Sequence, residues 1–269
     1  MNKIKTTILL FTLLLVAMVS NADVMNHSVV TNNENGGDYI TSQENDKTEE
    51  VIRTRPILPV NWENLREFVK NNTDSVKALV NRMLSVEDPK LTDDEEMLAF
   101  FGQSYLSDAG EETIMMELRD SLKQGNYLVV NNVLDRTLKI NPLNIEARYW
   151  KLVILLTDKD KSETPTLYSE AEFEHQKDIL FRMLDAIYLS GNGSPEAPFY
   201  VTRVNDEYTF MNMFLHIQRE DLGMQAVTTI NKRPYDYFVV KNKNKYFNHD
   251  KIYFEITRVY ETEKKMFGL

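Results

Sequence analysis

Asp206 and Glu207, with Arg203 just before them and His216 shortly after, form the group in this chain best suited to chemistry. Two carboxylates and an imidazole can hold a metal ion or relay a proton when the fold brings them together. Phe199 to Val204 reads as a strand, and neighbouring residues on a strand point to opposite faces, so the two carboxylates need not share a site. Asn205-Asp206 after such a strand also reads as an ordinary turn or helix cap. A second group, Glu172 and His175, has the i, i+3 spacing of carboxylate-bridged di-metal bundles, but those sites need a second copy of the motif, and none is present. No metal and no cofactor is expected. A third group surrounds His249-Asp250: Lys241, Lys243, Lys245 and Lys251 could attract an acidic ligand, with Tyr246 and Phe247 as contact residues. A solvated hairpin tip is the plainer reading of that stretch. Asp206, Glu207 and His216 are therefore the catalytic candidates, and Arg203, Lys243, Lys245 and Tyr246 the binding candidates. The sequence has no glycine-rich phosphate loop, no nucleophile elbow and no cysteine.

The elements that would position these groups change character at Ser190-Gly-Asn-Gly-Ser-Pro-Glu-Ala-Pro198, where two glycines and two prolines allow neither helix nor strand to continue. Before it the apolar residues recur with a helical period. Asn61 can cap a helix bearing Trp62, Leu65, Phe68 and Val69, and Thr73 or Asp74 a second bearing Val76, Leu79, Val80 and Met83. Thr92-Asp-Asp-Glu95 reads as a capping box opening a third. Gly125-Asn-Tyr127, Val130, Leu134, Leu138 and Asn141-Pro142 match the second half of a tetratricopeptide repeat, with Leu118 standing where that motif has glycine. A charged loop from Thr157 to Pro165 interrupts the next unit, and a long helix spans about Tyr168 to Leu189. Beyond the boundary, Phe199–Val204, Leu215–Gln218, Gln225–Ile230, Tyr235–Val240 and the alternating Ile252, Phe254 and Ile256 read as strands.

Lys3 and Lys5, an apolar run from Ile8 to Val19 and the small residues of Ser20-Asn21-Ala22 read as a cleaved signal peptide rather than a membrane span. Export to the periplasm or beyond follows, with no lipid anchor, because the cleavage region lacks the lipoprotein cysteine. Residues 23–58 are poor in apolar groups and read as a disordered linker. Residues 59–190 then form a helical region, and 191–269 a mainly β region packed on it. The net charge is −10, and the leader holds two lysines and no acid, so the mature chain is more acidic still. Such a surface repels phosphate backbones and argues against nucleic acid as a partner.

Leu91-Thr-Asp-Asp-Glu with Tyr105, the Gly125-to-Pro142 unit, the 190–198 junction, Val201, Val204, Asp206-Glu-Tyr208 and the last strand ending in Arg258 resemble a Bacteroides-type exported family. That family is known only as domain of unknown function 4919. The resemblance implies architecture and location and brings no catalytic residue. The expected fold is α+β, with one or two tetratricopeptide-like helix pairs followed by a small antiparallel sheet. The expected function is non-catalytic binding of a protein, peptide or glycan in the cell envelope. The alternative is an exported hydrolase using carboxylates of the C-terminal region.

Overall fold

The computed structural model describes residues 55–85, 90–107, 110–124, 127–161 and 167–267. The expected signal peptide and nearly all of the expected linker lie outside them. Order is described from Arg55, earlier than the linker boundary at residue 58 implies. Arg55 bridges Asp93 at 2.5 Å and Asp185 at 2.7 Å, and the Leu58 amide donates to the Leu189 carbonyl.

The fold is α+β. Among the described residues seven helices precede the junction: α1 (Trp62–Asn71), α2 (Thr73–Leu84), α3 (Asp93–Leu106), α4 (Gly110–Gln124), α5 (Tyr127–Ile140), α6 (Ile145–Lys161) and α7 (Glu170–Ser190). Their starts follow local chemistry. Asn61 Oδ1 accepts from the Asn64 amide, and Thr92 and Glu95 make the reciprocal bonds of a capping box. The helix α6 runs through Thr157 to Lys161 rather than breaking into a loop there. The apolar faces form two clusters. The smaller joins Met115, Leu118, Val130, Val133, Leu134, Ala147 and Ile154 from α4, α5 and α6. Leu118 is fully buried in it, so this interface is filled by a large side chain rather than closed around a glycine. The larger cluster runs from Trp62 and Phe101 through α7 to Phe199, Phe210 and Phe254, so the helices and the sheet share one core.

After the junction come β1 (Phe199–Tyr200), α8 (Val204–Met213), β2 (Leu222–Ile230), β3 (Arg233–Val240), β4 (Lys251–Glu255) and α9 (Thr257–Phe267). The sheet order is β1-β4-β3-β2. It differs from the expected antiparallel sheet in one respect: β1 lies parallel to β4, while β2, β3 and β4 are antiparallel. The expected strand at 199–204 stops after Tyr200, because Asp206 accepts from the Thr202 and Arg203 amides and starts a helix. Leu215–Gln218 is buried in part but joins no strand, and the C-terminal region is as helical as it is β.

The junction is a bonded seam. The Asn192 and Gly193 amides both donate to the Ala197 carbonyl, at 2.8 and 3.0 Å, and the Tyr253 amide of β4 donates to the Gly193 carbonyl at 2.9 Å. Ser190 Oγ donates to the Ile187 carbonyl and accepts from the Tyr200 amide. At Gly193 φ is +79°, a region glycine enters without strain, and a Cβ there would press on Phe247 and Phe199. A Cβ at Gly191 would lie 1.9 Å from the Pro198 carbonyl oxygen. Backbone cannot give way as a side-chain tip can. Gly191→Ala should therefore cost about 3 kcal/mol or more, read as a lowered denaturation midpoint in urea; a midpoint unchanged from the parent would show that the loop is free to move.

Candidate functional site

A cleft of about 320 Å³ opens where the helical layer meets the C-terminal region. Its walls are the end of α3 (Ser104, Ser107), α4 (Glu111, Met115, Arg119), the start of α6 (Asn144, Glu146), residues 202–205 and one face of α9 (Arg258, Thr262, Lys265). Glu111 builds the floor. It is fully buried and accepts from Asn141 Nδ2 at 3.0 Å, from Asn144 Nδ2 and from Arg203 Nη2. The two asparagines are held by the loop they belong to. Asn141 Oδ1 accepts from the Leu143 amide, and Asn144 Oδ1 accepts from the Ala147 amide, capping α6. The 141–144 loop thus turns two amide groups on one carboxylate, and the C-terminal region supplies the guanidinium.

Charge of both signs lines the rest. Arg119 lies 3.7 Å from Glu146, whose Oε2 accepts from Asn205 Nδ2. Arg258 donates to the Ser104 carbonyl at 2.5 Å and to Ser104 Oγ at 3.1 Å, pairs with Glu261 at 3.2 Å, and stacks 4.2 Å from the Tyr105 ring centre. Burial lowers its pKa, partly offset by Tyr105 and Glu261. The cleft is therefore a set of oriented donors and acceptors.

The structure separates the residues the sequence singled out. Arg203 faces the cleft. Asp206, on the first turn of α8, is buried, and its Oδ2 accepts from the Thr202 amide, Thr202 Oγ1 and the Arg203 amide at 2.8–3.1 Å. Burial pushes its carboxyl up to about 6 in spite of these bonds. Glu207 turns instead to Asp236 of β3. Neither Glu207 oxygen, nor Asp236 Oδ1, receives a hydrogen bond among the described residues, while Asp236 Oδ2 accepts from Gln225 Nε2 at 2.5 Å. Two acceptors facing each other are reconciled by a proton on one of them. Burial first, then Asp236 and Asp206, hold Glu207 well above the usual carboxylate range, so it carries the proton.

His216 does not join these carboxylates. Its ring stacks on Tyr246 at 4.4 Å, Lys245 Nζ lies 4.9 Å from the Tyr246 ring centre, and burial, then Lys245, lowers the His216 pKa. Asn244 orders this corner, donating to the Leu215 and His216 carbonyls and accepting from the Tyr246 and Phe247 amides. Lys243 pairs with Asp250 at 2.6 Å. Three of the candidates, His216, Lys245 and Tyr246, thus meet at the β3–β4 connection, while Arg203 stands in the cleft.

The family profile described as "Domain of unknown function (DUF4919)" matches residues 63–265. The chain belongs to that family. No curated protein and no solved structure matches it. Within this DUF4919 chain no described helix is long and apolar enough to cross a membrane. Sequence reasoning missed Glu111, Asn141, Asn144 and Asp236. Only Asp236 left a signal, an acid on the strand face that also carries Phe238 and Val240.

Two outcomes follow. Glu111→Gln removes the counter-charge of Arg203 and turns an amide donor onto asparagine donors. Loss of one partner of such a pair costs about 3 kcal/mol, measurable by chemical denaturation. The second concerns pH. The folded chain holds the Glu207 proton more tightly than the unfolded one, whose ordinary value is 4.5, so stability falls as pH rises above that value. Glu96, pushed up to about 7 by burial and by Asp185, and Asp206 act in the same direction. The melting temperature should be higher at pH 5.5 than at pH 8. Glu207→Gln should raise it at pH 8 by about 3 °C and flatten the slope, whereas an unchanged slope would show that the pair does not share a proton.

Proposed function

We propose that this chain is an exported, non-catalytic binding module whose cleft takes a short polar peptide segment. The observation that carries the reading is the cleft itself, lined by oriented groups of both signs. Guanidinium groups at Arg119, Arg203 and Arg258 match carboxylates and carbonyl oxygens, and Glu146 and Asn205 match amide and ammonium donors. A peptide offers both kinds of group. The described lining has no aromatic ring to lie against a sugar face, which favours a peptide over a glycan. The apolar share of the wall, Met115, Val204 and Val259, suits a small side chain. Export rests on the charged, apolar and small-residue pattern of residues 1–22.

The hydrolase reading has less support. It needs Asp206, Glu207 and His216 in one cleft, whereas Asp206 is engaged as a helix cap, Glu207 faces Asp236, and His216 faces Tyr246. A set of tri- to pentapeptides varied in charge, titrated into the purified chain by calorimetry, tests the proposal. Peptides carrying both an acidic and a basic group should bind, and Arg119→Ala, which leaves the Glu111 cluster intact, should weaken them tenfold or more. Heat signals at background for the whole set would overturn it.

A further inference from the structure

The sheet ends on an unusual strand. Among the described residues β2 has a strand neighbour only on its β3 side. Exposed sheet edges are ordinarily guarded by lysine, proline or inward-pointing charge. Leu222–Ile230 has none of these: Leu-Gly-Met-Gln-Ala-Val-Thr-Thr-Ile is uncharged throughout, in a chain of net charge −10. Met224 and Val227 are exposed, at 59% and 57%. The one irregularity, a register shift between Leu222 and Gln225, leaves the ladder regular from Gln225 onward.

The direction of each backbone group follows from the hairpin. Asn231 and Lys232 both have positive φ, 51° and 67°, and Ile230 pairs with Arg233. In such a two-residue turn the closing pair exchanges both hydrogen bonds. Ile230, Thr228 and Ala226 therefore direct their amides and carbonyls to β3, and Thr229, Val227 and Gln225 direct theirs outward. Pro234, which has no amide hydrogen, stands opposite Thr229, where none is required.

We propose that this edge pairs antiparallel with β2 of a second copy of the chain, about a twofold axis at Val227, making one continuous sheet across the dimer. Charge selects that partner. Two acidic chains repel each other, and the uncharged strand is where approach costs least. Antiparallel alignment centred on Val227 places Gln225 against Thr229 and the two Val227 side chains together. It also brings the acidic end of each strand, Glu220 and Asp221, to the basic end of the other, Lys232 and Arg233. The same antiparallel relation gives about six new backbone hydrogen bonds and covers the exposed Val227.

Sedimentation velocity on the purified chain tests this between 1 and 200 μM. A monomer–dimer equilibrium is expected within that range. Val227→Pro removes an amide that β3 does not use, so it should leave the melting temperature nearly unchanged and yield a monomer. Val227→Lys gives a second disruption without a backbone change. Hydrogen exchange adds a readout of the edge itself: the amides of Gln225, Val227 and Thr229 should gain protection as concentration rises, while those of Ala226, Thr228 and Ile230 stay protected throughout. A monomer at every concentration would overturn the proposal. So would a dimer unaffected by either Val227 variant, or edge protection independent of concentration, which would mark another segment or partner as the occupant.

Discussion

A carboxylate with no exposure to water must be met by donors or by a proton, and Glu111 is met by donors from both halves of the chain. Asn141 and Asn144 belong to the helical layer, and Arg203 to the segment after the junction. Removing a charge from water is costly, and only a geometry that satisfies its lone pairs recovers that cost. The relative placement of the two halves is therefore specified at this point. Apolar contacts alone would tolerate some sliding of α8 over α6, but a buried ion pair with two amide donors does not. The walls of the cleft inherit that placement.

Other buried acids follow the same logic with different partners. Glu255, at the end of β4, accepts from the Trp62 indole at 2.6 Å and from Thr257, and so fastens α1 to the last strand. Asp206 is met by the amides of a helix start, and Glu207 with Asp236 by a retained proton. Donors, a helix terminus and a proton are three separate answers to one desolvation problem. These groups act in the interior, which is why Asp206 and Glu207, conspicuous in the sequence, build the frame.

Local signals in the sequence were reliable where the physics is local. Asn61, the Thr92–Glu95 box and the periodicity of α7 mark their helices correctly, because caps and amphipathic faces depend on residues within a few positions. The 190–198 junction was likewise visible as a break in pattern. The parallel pairing of β1 with β4 was not visible, since it joins Phe199 to Phe254 across the whole C-terminal region. Phe199–Val204 misled for a related reason: its β-branched and aromatic content suggests extension throughout, and the cap at Asp206 ends the strand after Tyr200. Glu255 alternates with Phe254 and Ile256 in the expected last strand, and nothing nearby in sequence reveals that Trp62 covers it. Of the candidate residues, Arg203 reaches the cleft, but nothing near its buried partner Glu111 in sequence marks the two as a pair, 92 positions apart.

The β1–β4 pairing also sets an order of events. Among the described residues strand β1 pairs with β4 alone, and the Trp62 indole donates to Glu255. The helical layer can collapse on its own local contacts as it is made, but its indole and its seam remain open until the last strand has been synthesised. Closure of so long a loop is the slow, non-local part of folding. The described fold is therefore completed from its C-terminal side, with β4 acting as the clasp that ties α1 to α9.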